Sequence, residues 1–377
     1  MKVIIVGGGI QGLACAFALK KRGVGPITIL EANRIGYGAS CRCGGGIRAQ
    51  FHNASNIKLA KRSIELFEKL TAELQYHIMF HHGGYMYLHY NDTDAAQAEQ
   101  DVKLQNHLGV PSKLISPKKA ARIVPSLNAD GVIVVQYNAQ DAVCHHDALL
   151  WAYVRALRKS NITIQLGMKV SKIEIQGGRA TGVIANDRFI PGEQIIVATG
   201  SWTKEIMKTI GVNIPVSPWK RETLVTMPVR HFLDPLVIDN RRNIYIHQTL
   251  RGEILGGASV PQETPTTNWD ATRSHLEIWC KGIYDLFPPL GQISIIRQWA
   301  GTRSFTPDGS PIFGPVKNIG GLWTICGQSG TGLMLAPAIA ESIALALVGK
   351  HPHVNWSLYS PDRFTKGQEL WERTPQI

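Results

Sequence analysis

The sequence predicts an α/β protein in which a Rossmann-type nucleotide-binding domain is interrupted by a second, α+β domain built on a mostly antiparallel sheet. Three observations carry that expectation. Met1–Asn33 contains strand, glycine turn, helix, strand and acid in the order of a dinucleotide-binding unit. Further nucleotide-type segments stand in the middle of the chain, at 193–200, and near its end, at 321–332. The blocks between them are rich in strands punctuated by proline and glycine.

Lys2–Val6 is a short β-branched run, long enough for one buried strand. Gly7, Gly9 and Gly12 follow as G-x-G-x-x-G, opening a helix from Ile10 that Gly23–Pro26 ends. The first glycine permits the tight turn, the second admits a pyrophosphate, and the third lets helix and strand pack closely. Phosphates then rest on the unpaired N–H groups of the helix N-terminus. Ile27–Leu30 reads as the next strand, and Glu31 at its end can accept hydrogen bonds from ribose hydroxyls. An acid there favours FAD or NAD over NADP.

Beyond Glu31 the chain makes a long excursion through small residues, Gly36–Gly46, which lets backbone approach a flat ligand. Helices are expected over 54–74, 92–107, from Ser116 as N-cap with Pro117 first in the helix, and over 146–159. Strands are expected at 84–89 and 131–137, and a three-strand pattern over 162–190 turns at Gly177-Gly178. Residues 216–260 read as largely strand, Asp270 caps a helix to Leu286, and 293–303 is a further strand. The last unit is a strand at 321–327 running into a helix over 333–348. The expected nucleotide-binding unit is therefore discontinuous, 1–80, 145–215 and 304–377, and the second unit comprises 81–144 and 216–303.

With 377 residues the chain can bury a sizeable core, and 44% hydrophobic with 18% charged residues is ordinary for a globular enzyme. No apolar run reaches the roughly 18 residues of a membrane span. The chain opens directly on the nucleotide-binding strand, and its six cysteines form neither a disulfide framework nor a zinc pattern. A cytoplasmic, reduced protein with no metal is expected. The net charge of +12 would suit an anionic membrane surface or an acidic partner. The basic residues are scattered rather than striped, which argues against nucleic acid.

The stretches Ala39–Phe51, Trp299–Gly314 and Ser329–Ala338 resemble FAD-dependent amine and amino-acid oxidoreductases of the D-amino-acid-oxidase group. Within it they are most similar to the β subunits of heterotetrameric sarcosine oxidase and dye-linked L-proline dehydrogenase. The match runs from Lys2 to about Phe364. It implies that the nucleotide-binding unit holds FAD and the second unit the substrate. The implied FAD contacts are Gly7, Gly9, Ile10, Gln11, Gly12 and Glu31, with Ala32, Asn33 and Arg34 near ribose and adenine. Ala39, Ser40, Gly44, Gly45, Gly46 and Ile47 would reach the phosphates and the flavin ring. Val170 would pair with the adenine edge, and Ala198, Thr199, Gly200 and Trp202 would pass by the pyrophosphate. Ser329, Gly330, Thr331, Gly332, Leu333 and Met334 complete the set. There a helix N-terminus close to the flavin would stabilise the charge that arises around N1 on reduction.

On the substrate side the resemblance implies that Arg303 and Arg48 bind an amino-acid carboxylate, which a buried guanidinium holds bidentately. Tyr245 and His247, alternating on 243–247, share one face of their strand. Tyr245 matches a pocket tyrosine, and His247 is either a catalytic-site residue or a polar neighbour. Met334 stands where monomeric sarcosine oxidases have a lysine. His146 lies in Cys144–Trp151, which resembles the segment whose histidine carries a covalent FMN at a subunit interface. The alternative is a helix N-terminal histidine beside Asp147. Ile254 in Gly252–Gly256 matches the lysine that promotes oxygen reaction in those oxidases.

These readings converge on FAD-dependent oxidation of a small amino acid, a secondary amine such as proline or sarcosine, with a dye or quinone-type acceptor. Partners would be copies of the chain or further subunits. Competing readings are a stand-alone D-amino-acid or glycine oxidase, and a β-like subunit that binds FAD within an electron-transfer complex. An NAD-dependent dehydrogenase is disfavoured by the Gly36–Gly46 loop and the Ser329–Met334 segment.

Overall fold

Val3–Val6 lies inside a six-stranded sheet, flanked in parallel by Gln194–Val197 and Ile27–Glu31. In the computed structural model, which describes residues 1–160, 162–261 and 263–373, Val3, Ile4 and Ile5 are fully buried. A strand covered on both faces reads as a continuous apolar run, and each such side chain contributes roughly 1.5–3 kcal/mol. Thr163–Leu166 extends the sheet beyond Ile27–Glu31, and Leu322–Cys326 followed by antiparallel Ile312–Pro315 extends it beyond Gln194–Val197. Helices Ile10–Lys20, Ala54–Leu74, His146–Arg158 and Gly332–Leu347 share one core on one side of this sheet. A three-stranded antiparallel sheet, Val170–Gln176, Arg179–Ala185 and Arg188–Pro191, packs with the other side.

The second sheet has eight strands, in the order Ile295–Phe305, Ser217–Pro228, Glu253–Ala258, Ile244–Gln248, Leu236–Asp239, Tyr85–His89, Val134–Asn138 and Lys113–Ile115. It is antiparallel except where Leu236–Asp239 runs parallel to Tyr85–His89. One face carries an aliphatic core over which helix Arg273–Leu286 lies, with Trp279 and Leu286 buried. The other face, bearing Tyr85, Tyr87, Leu236, Tyr245, Leu255 and Trp299, turns toward the nucleotide-binding unit. Asn161, Gln262 and 374–377 lie outside the described residues, including the last four assigned above to the nucleotide-binding unit.

Three element expectations are corrected. The 162–190 block holds four strands, because Thr163–Leu166 joins the parallel sheet and leaves three for the meander. The strand expected from Gly131 begins at Val134. The helix expected from Asp270 begins at Arg273 with Thr272 as N-cap. Glu222 explains that shift, accepting from Thr272 N at 2.7 Å and from its hydroxyl at 2.6 Å, which fixes Thr272 where it can cap.

Candidate functional site

A cavity of about 830 Å³ runs from the carboxyl ends of the parallel strands to the second sheet. At its nucleotide end Gly7 takes φ +113°, and a Cβ there would stand 2.5 Å from Ala198 O. A Cβ on Gly12 would stand 2.1 Å from Gly7 O, so helix and turn are in contact. Gly9 caps helix Ile10–Lys20 without a side chain, which leaves that N-terminus open to an anion. Ser40 Oγ accepts from Ile10 N at 3.0 Å and ties the small-residue loop to the same turn. Glu31 accepts from Gly8 N at 2.7 Å and Asn33 N at 2.8 Å, so its carboxylate is held at the rim. Ala32, Asn33, Ala39, Val170, Ala198, Thr199, Gly200 and Trp202 line this end.

At the far end Ser329, Gly330, Gly332 and Leu333 line the wall, where Thr331 caps helix Gly332–Leu347 without a side-chain bond. Gln11 Nε2 donates to Gly332 O at 2.7 Å and joins the two helix starts. Among the described residues Gln11 Oε1 and Gln328 Nε2 are buried without partners, and both residues face the cavity. A glycine cradle, two open helix N-termini, a rim carboxylate and orphaned polar atoms fit a dinucleotide with a flat polar ring. FAD is such a group.

The opposite wall comes from the eight-stranded sheet. Arg303, Thr223 and Arg221 line it, with Gly301 and Thr302. Tyr245 stands just behind, its hydroxyl 3.3 Å from Thr223 Oγ1 and its ring against Gly44. Burial pushes the Tyr245 hydroxyl above its ordinary value, so it stays protonated. Gly46 presses on Tyr85 so closely that a Cβ would overlap the phenol oxygen. The Gly44–Ile47 loop therefore lies between the cavity and the aromatic face of the second sheet.

Several expected contacts lie elsewhere. Arg48 does not line this cavity: it is 4% exposed, donates to Gln50 O at 2.5 Å and lies 4.2 Å from the Phe51 ring centroid. It faces Asp141, a buried acid accepting from Ala49 N, Gln50 Nε2 and Asn138 Nδ2, each at 2.8 Å. Ile254 belongs to the core on the far face of the sheet, and its neighbour Leu255 faces Gly44 instead. Arg34, Gly44, His146 and His247 line a second cavity of about 530 Å³, not the first. Gly12, Gly45, Gly46, Ile47, Thr331 and Met334 line neither of these two cavities. Cavity residues given no role from sequence include Arg221, Thr223, Arg42, Cys43 and Gln328. Strand alternation pairs Arg221 with Thr223 on one face, but only the register beside Arg303 shows that this face is the cavity's.

The second cavity is walled by Trp269, Trp299, Arg251 and Arg297 as well as His145 and His146. His145 caps helix His146–Arg158, its Nδ1 accepting from Ala148 N at 3.4 Å. His247 is buried there with neither ring nitrogen paired among the described residues, and burial pushes its pKa down to about 4. Burial likewise pushes His146 down to about 4. Both imidazoles are neutral at neutral pH. The described residues include no helix long and apolar enough to cross a membrane.

A dinucleotide-type glycine cradle facing a second sheet across a glycine-rich cleft suits a flavin-dependent oxidoreductase. The chain belongs to the FAD dependent oxidoreductase family DAO, whose sequence profile matches residues 2–345. It is 25% identical over 98% of its length to sarcosine oxidase subunit beta of Rhodobacter capsulatus, of which 90% is covered. It is 27% identical over 96% of its length to glycine oxidase of Pseudomonas putida, 98% covered. Among solved structures, L-proline dehydrogenase from P. horikoshii superposes with a TM-score of 0.91 and 32% identity over 97% of this chain and 98% of that one.

Proposed function

We propose that the protein dehydrogenates a small amino acid, a secondary amine such as proline or sarcosine, to the corresponding imine. The observation that carries this is Arg303 on the wall opposite the nucleotide cradle, in one cavity with it. A guanidinium there binds the substrate carboxylate and orients the α-carbon. FAD, when bound, would supply the two-electron acceptor for the α-hydrogen as hydride, leaving a protonated imine that gives its proton to water. The residues do the rest. Arg303 holds the carboxylate, Tyr245 and Thr223 border the substrate, and its amine must be neutral to release a hydride. A positive wall lowers the amine's proton affinity and favours that form. The start of helix Gly332–Leu347 offers unpaired N–H groups to negative charge.

The names of its relatives, sarcosine oxidase subunit beta, glycine oxidase and L-proline dehydrogenase, support the substrate class. Dye reduction across L- and D-proline, sarcosine, hydroxyproline and glycine tests it. Turnover by the isolated chain with a dye also separates an enzyme from a scaffolding β-like subunit, and peroxide production would mark an oxidase. No reduction by any of these amino acids overturns the reading.

The second cavity supports a further flavin, FMN, beside His146 at an interface with another subunit. Its support is the pair of tryptophans, the arginines that suit a phosphate, and the unpaired buried His247. Acid precipitation tests covalent attachment, since a tethered flavin pellets with the protein. The six cysteines, all free thiols, support a cytoplasmic setting.

A further inference from the structure

Arg221 lines the same cavity as Arg303 and has no part in the reading above. Register places Trp219 opposite Arg303 and Arg221 opposite Gly301, so both guanidiniums leave neighbouring strands on one face. Arg221 Nη1 donates to Glu263 at 2.5 Å and to Lys220 O at 2.8 Å. Its Nε is buried and has no partner among the described residues, in a side chain 12% exposed. A buried N–H left unpaired is costly, and a cation beside another cation more so. Burial first, and then Arg303, push the Arg221 pKa down to about 10. Burial also pushes the Glu263 carboxyl up, and its bond to Nη1 leaves the Nε unserved. Arg42, the neighbouring cation, is already committed: it donates to Tyr37 O and Gly38 O and stacks on Trp269.

A substrate with one carboxylate on Arg303 leaves the Arg221 Nε unpaired. A second carboxylate would pair that donor and offset the repulsion between the two arginines. A cationic substituent would find Glu263 already occupied by Arg221. We propose that Arg221 binds a second acidic group, and that the preferred substrate is a secondary-amine amino acid carrying two carboxylates. The proposal rests on the amino-acid oxidation reading and narrows it.

The experiment uses the FAD-loaded protein and two readouts. Dye reduction compares iminodiacetate with sarcosine, and N-methylaspartate with N-methylalanine, as kcat/KM ratios. Flavin absorbance titrations compare binding of malonate with acetate, which needs no turnover. The expected dicarboxylate preference is about tenfold or more in at least one pair, and Arg221→Met lowers it by about ten- to hundredfold. The malonate-to-acetate affinity ratio should fall alongside it. A wild-type ratio at or below unity in both pairs overturns the proposal, as does a ratio that Arg221→Met leaves unchanged. Should that variant not retain FAD, the wild-type ratios alone decide. Sarcosine or proline turnover without any dicarboxylate preference removes only the role of Arg221. Failure of every amine to reduce the dye removes the amino-acid reading itself.

Discussion

The hydroxyls of Tyr245 and Thr223 lie 3.3 Å apart across an intervening strand, Glu253–Ala258, and meet only because Gly257 stands between them. A Cβ on Gly257 would come within 2.6 Å of the Tyr245 ring. The ring is thus laid over the strand and held against Gly44. Gly257→Val should displace it, costing about 1–3 kcal/mol of stability as overpacking and raising the substrate KM. Tyr245→Phe should keep the ring in place and cost about 0.5–1.5 kcal/mol. Thermal melts with KM measurements check both; a Gly257→Val protein with unchanged KM would show that Tyr245 does not border the substrate.

The purified protein should be yellow and release FAD on denaturation. Gly12→Val should yield colourless or poorly folded protein, because its side chain would collide with Gly7 O. The ratio of flavin absorbance to protein absorbance measures this directly. Full flavin occupancy in Gly12→Val would show that the phosphates bind elsewhere.

Arg303 and Arg48 should part company on mutation. Arg303→Ala should weaken substrate binding by about 2–5 kcal/mol while flavin content stays near normal. Amines lacking a carboxylate should lose little. Arg48→Ala should lower the melting temperature instead, through lost packing on Phe51 and a lost cation beside Asp141. A raised KM with unchanged stability in Arg48→Ala would return the carboxylate role to it.

Much of this site was legible in sequence because it is built from local motifs. Gly7–Gly12 with Glu31, and Ser329–Leu333, are contiguous and sit where their glycines require. Alternation correctly put Tyr245 and His247 on one face. What it could not supply is the register of that face against another strand. Arg221 became a cavity residue only through its pairing with Gly301 beside Arg303. The match at Ile254 shows how steep the penalty is, since a slip of one residue in a strand turns every side chain to the other face. Arg48 lies away from the cavity for a different reason: a buried acid far along the chain, Asp141, organises the turn at 49–50.

That acid makes stability depend on pH. Burial pushes Asp141 up to about 7, against hydrogen bonds and Arg48 that act the other way. In the unfolded chain an aspartate titrates near 3.9. The folded state therefore holds the proton more tightly, and the contribution is fully present below about pH 4. It is lost as pH rises through about 7, amounting to about 4 kcal/mol at most. Asp141→Asn removes the titration, and Gln50 Oε1, unpaired among the described residues, can accept from the new amide after a flip. The variant should therefore gain on the wild type between pH 5 and pH 8. Parallel melting-temperature curves over that range would show that Asp141 keeps its charge when folded.

The last prediction concerns the electron acceptor. Monomeric sarcosine oxidases, which the chain resembles, place a lysine beside the flavin, and a fixed cation there lowers the cost of forming superoxide. The sequence match put Ile254 at that position, but Ile254 lies in the core on the far face of the sheet. The side chain that meets the Gly44 loop is Leu255, whose Cδ2 would lie 3.3 Å from a Cβ on Gly44. Leucine offers no charge, so the conclusion survives its corrected register. Arg221 does not substitute, because its charge is engaged by Glu263. The enzyme should reduce dyes or a quinone far faster than oxygen, and Leu255→Lys should speed reoxidation by oxygen if the cation stays protonated beside the loop. The test is to reduce the protein with substrate anaerobically, admit air, and follow flavin reoxidation together with peroxide. Wild-type reoxidation as fast as substrate turnover, with stoichiometric peroxide, would make it an oxidase and leave Leu255 without this role.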